Sequence, residues 1–214
     1  MPSNSISVLL NIINNLQLGE KNQEMSQKKR VLMVCLGNSC RSPMAEAVFQ
    51  DQVRKMGLSD FWEVESAAIM AYHVGNAPEP RAMSTLQKEG ITNYSHVARQ
   101  ITTNDFYNFD WIFGMDNYIT HVLCDIRPKN SRATIELLGT YDPTGIVGIK
   151  DPLFDVGSDG FEKALQQASR SVRFFLEINM VLRIHVSFKH LNTSVVLKSI
   201  CASNDHKTRA CARK

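Results

Sequence analysis

The sequence predicts an α/β protein in which a four-stranded parallel sheet carries helices on both faces. Four short runs of strand character alternate with stretches of helical apolar period, and alternation of that kind marks βα units built on a parallel sheet. Size agrees with this. With 214 residues and 43% hydrophobic content, the chain can bury one sizeable core, and it contains no apolar run long enough to cross a bilayer.

Residues 1–28 are rich in Asn, Ser and Gln and are expected to form a disordered N-terminal extension. Their apolar stretch from Ser5 to Ile13 has no cationic start, contains Asn11 and lacks a small-residue cleavage site, so it is not read as a signal peptide. Met25 marks a second candidate start. The charged triplet Lys28, Lys29, Arg30 then gives way to Val31-Leu32-Met33-Val34, the first strand. From Ser42 the residues Met44, Ala45, Ala47, Val48 and Val53 recur at helical spacing as far as Met56, and Gly57 supplies a stop. Further strands are expected at Trp62 to Ala67, Trp111 to Met115 and Thr134 to Leu138, with helical patterns near Arg81 to Glu89, Asn117 to Asp125 and Gly160 to Leu176. One domain is therefore expected over residues 29–177. Beyond Glu177 the run Ile178 to Ile200 is apolar but irregular, and residues 178–214 read as a divergent tail of unassigned structure.

The net charge of +3 is too mild to demand nucleic acid and does not oppose an anionic substrate. Neither a nucleic acid nor a membrane is expected as a partner. Five cysteines, at 35, 40, 124, 201 and 211, lack the paired CxxC spacing of a zinc site and come in an odd number. A disulfide scaffold is not expected, and a reducing, cytoplasmic setting is.

The segment Cys35-Leu36-Gly37-Asn38-Ser39-Cys40-Arg41-Ser42-Pro43 lies between the first strand and its helix, where open α/β sheets bind ligands. A loop at a helix N-terminus aims several backbone N–H groups into one concavity, and with the positive end of the helix dipole these bind phosphate. Gly37 permits a tight turn. Cys35 would share that positive field, which favours the nucleophilic thiolate. Six residues on, Arg41 can fold back to grip two phosphoryl oxygens with a fork that Lys cannot supply. The Ser42 hydroxyl can donate to the Cys35 sulfur, and Pro43 fits the first helical turn. Alone, Cys35 would read as a buried strand-end residue and Arg41 as a surface residue; the combination of CxxxxxR, a trailing Ser-Pro, a preceding strand and a following helix points to chemistry.

These residues resemble the low-molecular-weight protein tyrosine phosphatases, in the loop VLMVCLGNSCRSPMAEAVF, in SAA at Ser66 to Ala68, YHVGNAPEPRA at Tyr72 to Ala82, SHVARQIT at Ser95 to Thr102, FDWIFGMD at Phe109 to Asp116, and DP at Asp151. The resemblance covers roughly residues 29 to 177. It implies hydrolysis of phosphotyrosine proteins or peptides, and of small aryl phosphates, through a phosphocysteine on Cys35, with inorganic phosphate as product and no metal or other cofactor. Asp151 corresponds to the general acid, protonating the leaving phenolate and later activating water, and activity is expected to be best at mildly acidic pH. Pro152 stiffens the loop that presents it. A rival Asp-Pro at Asp142-Pro143 reads better as a turn.

The same resemblance implies that Leu36, Gly37, Asn38, Ser39, Cys40 and Ser42 form the phosphate-binding loop, that Asn38, Ser66 and His96 hold it in shape, and that Asp116 contacts Arg41. Read locally, His96 is an ordinary structural histidine, and Asp116 is equally a helix N-cap. Cys40 corresponds to the partner of Cys35 in a reversible disulfide under oxidant; read from the residues alone it is a small packing residue. Where the family often has two tyrosines after the acid, Leu153 and Phe154 stand here, so that Phe154 and Tyr72 are left to wall the substrate ring, and Ile69 and Met70 replace smaller residues. Two alternatives stand beside this reading: an arsenate reductase on the same scaffold, which needs relay cysteines, and a catalytically idle phosphotyrosine-binding protein.

Overall fold

The structure, a computed structural model, describes residues 28–188, with side chains as far as residue 181. The expected N-terminal extension, apart from Lys28, and the tail beyond Phe188 lie outside the described residues. Strand β1 (Lys29–Cys35) is central, pairing in parallel with β2 (Trp62–Ala68) on one side and β3 (Trp111–Gly114) on the other, and β4 (Thr134–Leu137) completes the order β2-β1-β3-β4. Val31 through Val34 are fully buried, as a parallel strand covered on both faces requires. Strand alternation divides them. Val31, Met33 and Cys35 belong to one core cluster, and Leu32 and Val34 belong to the other.

The first cluster lies under helix α1 (Arg41–Lys55) and the long last helix, and the second under the short helix α3 (Asp105–Asn108) and helix α4 (Asn117–Ile126). Helix α2 (Pro80–Lys88) packs at the edge against α1 and the last helix. The last helix, α5 (Asp159–Phe188), buries Phe161, Ala164, Leu165, Ala168, Val172, Phe175 and Leu176, one stripe at three- and four-residue spacing. It continues to Phe188, past Leu176 where the apolar period was expected to end. Its Phe175 ring lies within 5.1–6.3 Å of the rings of Phe49, Trp62, Trp111, Phe113 and Tyr141, so one side chain joins α1, three sheet positions and the short 3₁₀ turn Leu138–Tyr141. Gly114 permits the close approach of α4: a Cβ there would overlap Thr120. The rival Asp142 is buried, its carboxylate taken by Arg170 at 2.8 and 3.0 Å and by the Thr144 N–H at 3.0 Å.

Candidate active site

Because β1 is flanked by β2 and β3, the chain leaves its C-terminal end in opposite directions, and the crevice there is where open sheets place ligands. Cys35 ends β1 and Arg41 begins α1, and residues 36–40 span between them without regular structure. Helix α1 has no side-chain cap at Cys40, so its first N–H groups stay free of competing side-chain oxygens. Asn38 takes a left-handed φ of 53°, which turns its backbone N–H onto the Cys35 sulfur at 3.2 Å, and the Ser42 hydroxyl donates to the same sulfur at 3.0 Å. Two donors thus converge on one buried sulfur. Neighbouring backbone is pinned to the loop, with the N–H groups of Ile69 and Met70 donating to the carbonyls of Cys35 and Leu36 at 3.0 and 2.8 Å.

Arg41 is only 4% exposed. Its Nη1 donates to Asp116 Oδ2 at 2.5 Å and to the Ile149 carbonyl at 3.2 Å, and its Nη2 donates to Asp151 Oδ2 at 2.6 Å. Those bonds engage both N–H groups of Nη1 and one of Nη2, leaving Nε–H and the second Nη2–H, the two donors of a bidentate grip on an oxyanion. Burial opposes the guanidinium charge, but Cys35, Asp151 and Asp116 outweigh it and raise the Arg41 pKa above the ordinary value. The partners are themselves fixed. Asp116 also caps α4, its Oδ1 accepting from the Ile119 N–H at 2.9 Å, and Asp151 Oδ1 accepts from the Leu153 N–H at 3.1 Å.

Behind the loop, the Asn38 side chain works as a hub. Its Nδ2 donates to Ser42 and Ser66 at 2.9 and 2.8 Å, while its Oδ1 accepts from the Arg99 N–H at 3.0 Å and faces His96 Nε2 at 2.8 Å. The backbone donor of Arg99 fixes the amide orientation, and that places a proton on His96 Nε2. Farther in, Glu46 accepts from Ser66 at 2.6 Å and Tyr94 at 2.9 Å and lies 3.3 Å from His96 Nδ1. Burial, and secondarily Arg99, lowers the His96 pKa, and burial raises that of Glu46. The His96–Glu46 contact closes a buried network that runs from Asn38 to Tyr94. Ser66 and His96 both contact the Asn38 side chain, and Glu46 and Tyr94, which join the same network, were not foreseen. The one signal for Glu46 is a carboxylate set among apolar residues in Met44-Ala45-Glu46-Ala47-Val48; Tyr94 has none.

Cys40 is 5% exposed, and burial, followed by the proximity of Cys35, pushes its pKa up to about 12. It is a thiol at neutral pH. Ser39, also buried, accepts the Glu79 N–H through its carbonyl at 2.9 Å, and the His73 ring packs so close to Gly37 that an added Cβ would meet Cδ2 at 2.8 Å. Tyr72 and Phe154 are exposed, at 66% and 88%. A separate groove of about 630 Å³ runs between α1 and α5, lined in part by Asp51, Gln52, Ser169 and Arg173; it includes no residue of the loop.

Residues 30–184 match the sequence profile of the family described as low molecular weight phosphotyrosine protein phosphatase. A curated relative of that name from Sus scrofa is 49% identical over 154 residues, covering 70% of this chain and 94% of its own length. Among solved structures, a protein tyrosine phosphatase from Entamoeba histolytica superposes with a TM-score of 0.69 at 27% identity, covering 73% of this chain and 99% of that one. The drosophila arginine phosphatase DARP superposes with a TM-score of 0.63 at 39% identity, covering 70% and 96%.

Proposed function

The chain belongs to the low molecular weight phosphotyrosine protein phosphatase family, and on that premise we propose that it hydrolyses phosphotyrosine in proteins or peptides through a phosphocysteine on Cys35. The observation that carries this reading is Arg41, buried beside the Cys35 sulfur with two donors to spare and with Asp151 on its other edge. The Cys35 thiolate attacks phosphorus while the bond to the phenolate oxygen breaks, and Asp151 gives that oxygen its proton. Arg41 and the loop amides carry the charge that builds on the phosphoryl oxygens. In the second step water attacks the phosphocysteine, Asp151 takes its proton, and inorganic phosphate leaves. The hydrogen bonds of Ser42 and Asn38 then stabilise the departing thiolate. Asn38, Ser66 and His96 hold the loop in shape, and Tyr72 and Phe154 flank the substrate ring. A cytoplasmic setting belongs to the same proposal, since a reducing compartment preserves the Cys35 thiol.

Phosphate release from p-nitrophenyl phosphate and a phosphotyrosine peptide, measured in a metal chelator on the full chain and on Cys35→Ser, tests the proposal. Turnover in the parent and none in Cys35→Ser is expected. Tight peptide binding without release would point to an idle binder, and arsenate-dependent thiol oxidation without release to a reductase. The 39% identity to an arginine phosphatase favours adding a phosphoarginine peptide as a second substrate; faster release from it than from phosphotyrosine would move the substrate class to the guanidinium phosphate.

A further inference from the structure

The loop that presents Asp151 has little structure of its own. Between Asp151 and Ser158 its internal bonds are the Leu153 N–H to Asp151 Oδ1 and the Asp155 N–H to the Pro152 carbonyl, both at 3.1 Å. Apolar burial is confined to the start of the loop, where Pro152 is buried and Leu153 packs against the core, while Phe154 and Val156 are 88% and 98% exposed. The ion pair between Lys150 and Asp155 is exposed on the lysine side and contributes little.

What spans this loop is Arg81, on the first turn of α2. Its Nη2 donates to the Leu153 carbonyl at 3.1 Å, and its Nη1 donates to that of Asp155 at 3.0 Å and, more weakly, to that of Gly157 at 3.5 Å. The guanidinium lies over the buried Phe161 ring, 4.6 Å from its centroid, and Nε donates to Glu79 Oε1 at 2.7 Å. Glu79 also caps α2, accepting the N–H groups of Arg81 and Ala82, and its own N–H donates to the Ser39 carbonyl in the phosphate loop. A continuous polar bridge thus joins the loop that holds Cys35 to the loop that holds Asp151. We propose that Arg81 is a positioning residue for the acid: oriented by Glu79, it ties the carbonyls of the Asp151 loop to a segment anchored on the phosphate loop, and so fixes where Asp151 stands relative to Cys35. This rests on the phosphatase reading above. The tie matters most during proton donation. A protonated Asp151 has no ion pair with Arg41 to hold it, and displacement of a catalytic group by about 1 Å costs about a hundredfold in rate.

Leaving-group dependence separates positioning of the acid from general stability, because a poor leaving group needs the proton and a good one does not. The measurement is kcat/KM, which reports only steps through loss of the phenolate, on phenyl phosphate and on 2,4-dinitrophenyl phosphate, in the full chain carrying Arg81→Ala, Arg81→Lys or Glu79→Gln. Arg81→Ala is expected to lose about ten- to a hundredfold on phenyl phosphate and less than about threefold on the dinitrophenyl ester, with inhibition by inorganic phosphate unchanged. Arg81→Lys, which keeps the charge but loses the fork, and Glu79→Gln should show the same selectivity in smaller degree. If Arg81→Ala does not fold, those two variants carry the test. Equal loss on both esters, or no loss in any folded variant, overturns the role given to Arg81. Absence of turnover in the parent chain instead overturns the phosphatase reading itself.

Discussion

At φ 53° Asn38 sits in a region that costs an ordinary L-residue about 1–2 kcal/mol, and its side chain satisfies Ser42, Ser66, His96 and the Arg99 N–H. Backbone and side-chain contributions can be separated. Asn38→Gly keeps the left-handed backbone but strands several buried polar groups, each worth about 1–3 kcal/mol; Asn38→Ala adds the conformational cost. Urea unfolding should place Gly below the parent and Ala about 1–2 kcal/mol below Gly, and equal stabilities for the two variants would remove the backbone argument. His96 makes a pH-dependent contribution. Its pKa in the folded chain is lowered by burial and then Arg99, so in the window between that value and the ordinary one the unfolded chain binds more protons. Stability from His96 is present above the ordinary histidine pKa and is lost as pH falls through the lowered one. Glu46, raised by burial, runs the other way, contributing below the ordinary carboxyl range and losing that contribution as pH rises through its raised value. The two oppose each other between about pH 7 and about pH 5, so the His96 contribution is read by difference: the Tm advantage of the parent over His96→Gln should shrink as pH drops across that window. Cys35, Arg41 and Ser42 were legible in the sequence because their relation is one of spacing within a single loop. Glu46, Tyr94 and Arg81 were not, since what they do depends on partners 20, 48 and 72 residues away that only the folded chain brings near.

Among the elements, strands and helices with a clear period were legible to within a residue or two. Helix α2 was expected at Arg81 to Glu89 and runs Pro80–Lys88, and β3 was expected at Trp111 to Met115 and runs Trp111–Gly114. The four-residue α3 and the 3₁₀ turns escaped because they are too short to show periodicity. The end of α5 escaped for another reason: from Glu177 to Val181 the helix buries no stripe, with Glu177 to Asn179 half-buried and Met180 and Val181 exposed, while the backbone continues as helix. One tie fastens α5 to the turn after β4. The side chain of Asp142 is fully buried, and burial raises its pKa, but the bonds from Arg170 and Thr144 outweigh burial and lower it overall. A depressed carboxyl stabilises above its ordinary pKa and loses that contribution as pH falls through the folded value. Asp142→Asn should thus cost about 1 kcal/mol near neutrality, the scale of a partly exposed pair, and the difference from the parent should vanish in acid. A deficit that persisted at low pH would show packing, not charge, to be responsible.

At the scale of the molecule, the two faces of the sheet are unequal. The face under α1 and α5 holds the aromatic cluster, and Phe175 at its centre touches five other rings drawn from α1, β2, β3 and the Leu138–Tyr141 turn. Cys35 and Met44 belong to this same cluster, so the packing that stabilises the fold also seats the strand end and helix start that frame the loop. Truncating a fully buried Phe to Ala costs about 3–5 kcal/mol through lost transfer and an unfilled cavity, a large share of a typical stability of about 5–15 kcal/mol. Each kcal/mol moves Tm by about 2–4 °C in a domain of this size. Phe175→Ala is accordingly expected to lower Tm by about 10 °C while leaving kcat/KM on p-nitrophenyl phosphate nearly unchanged at temperatures where the chain remains folded, because the rings Phe175 packs against lie in α1, the sheet and the Leu138–Tyr141 turn and not in the loop. Differential scanning fluorimetry and an activity-temperature profile would be read together. If the core and the site form one cooperative unit, activity should disappear along the same thermal transition as the fold. Loss of activity well below that transition would mean that the loop unfolds independently of the cluster beneath it.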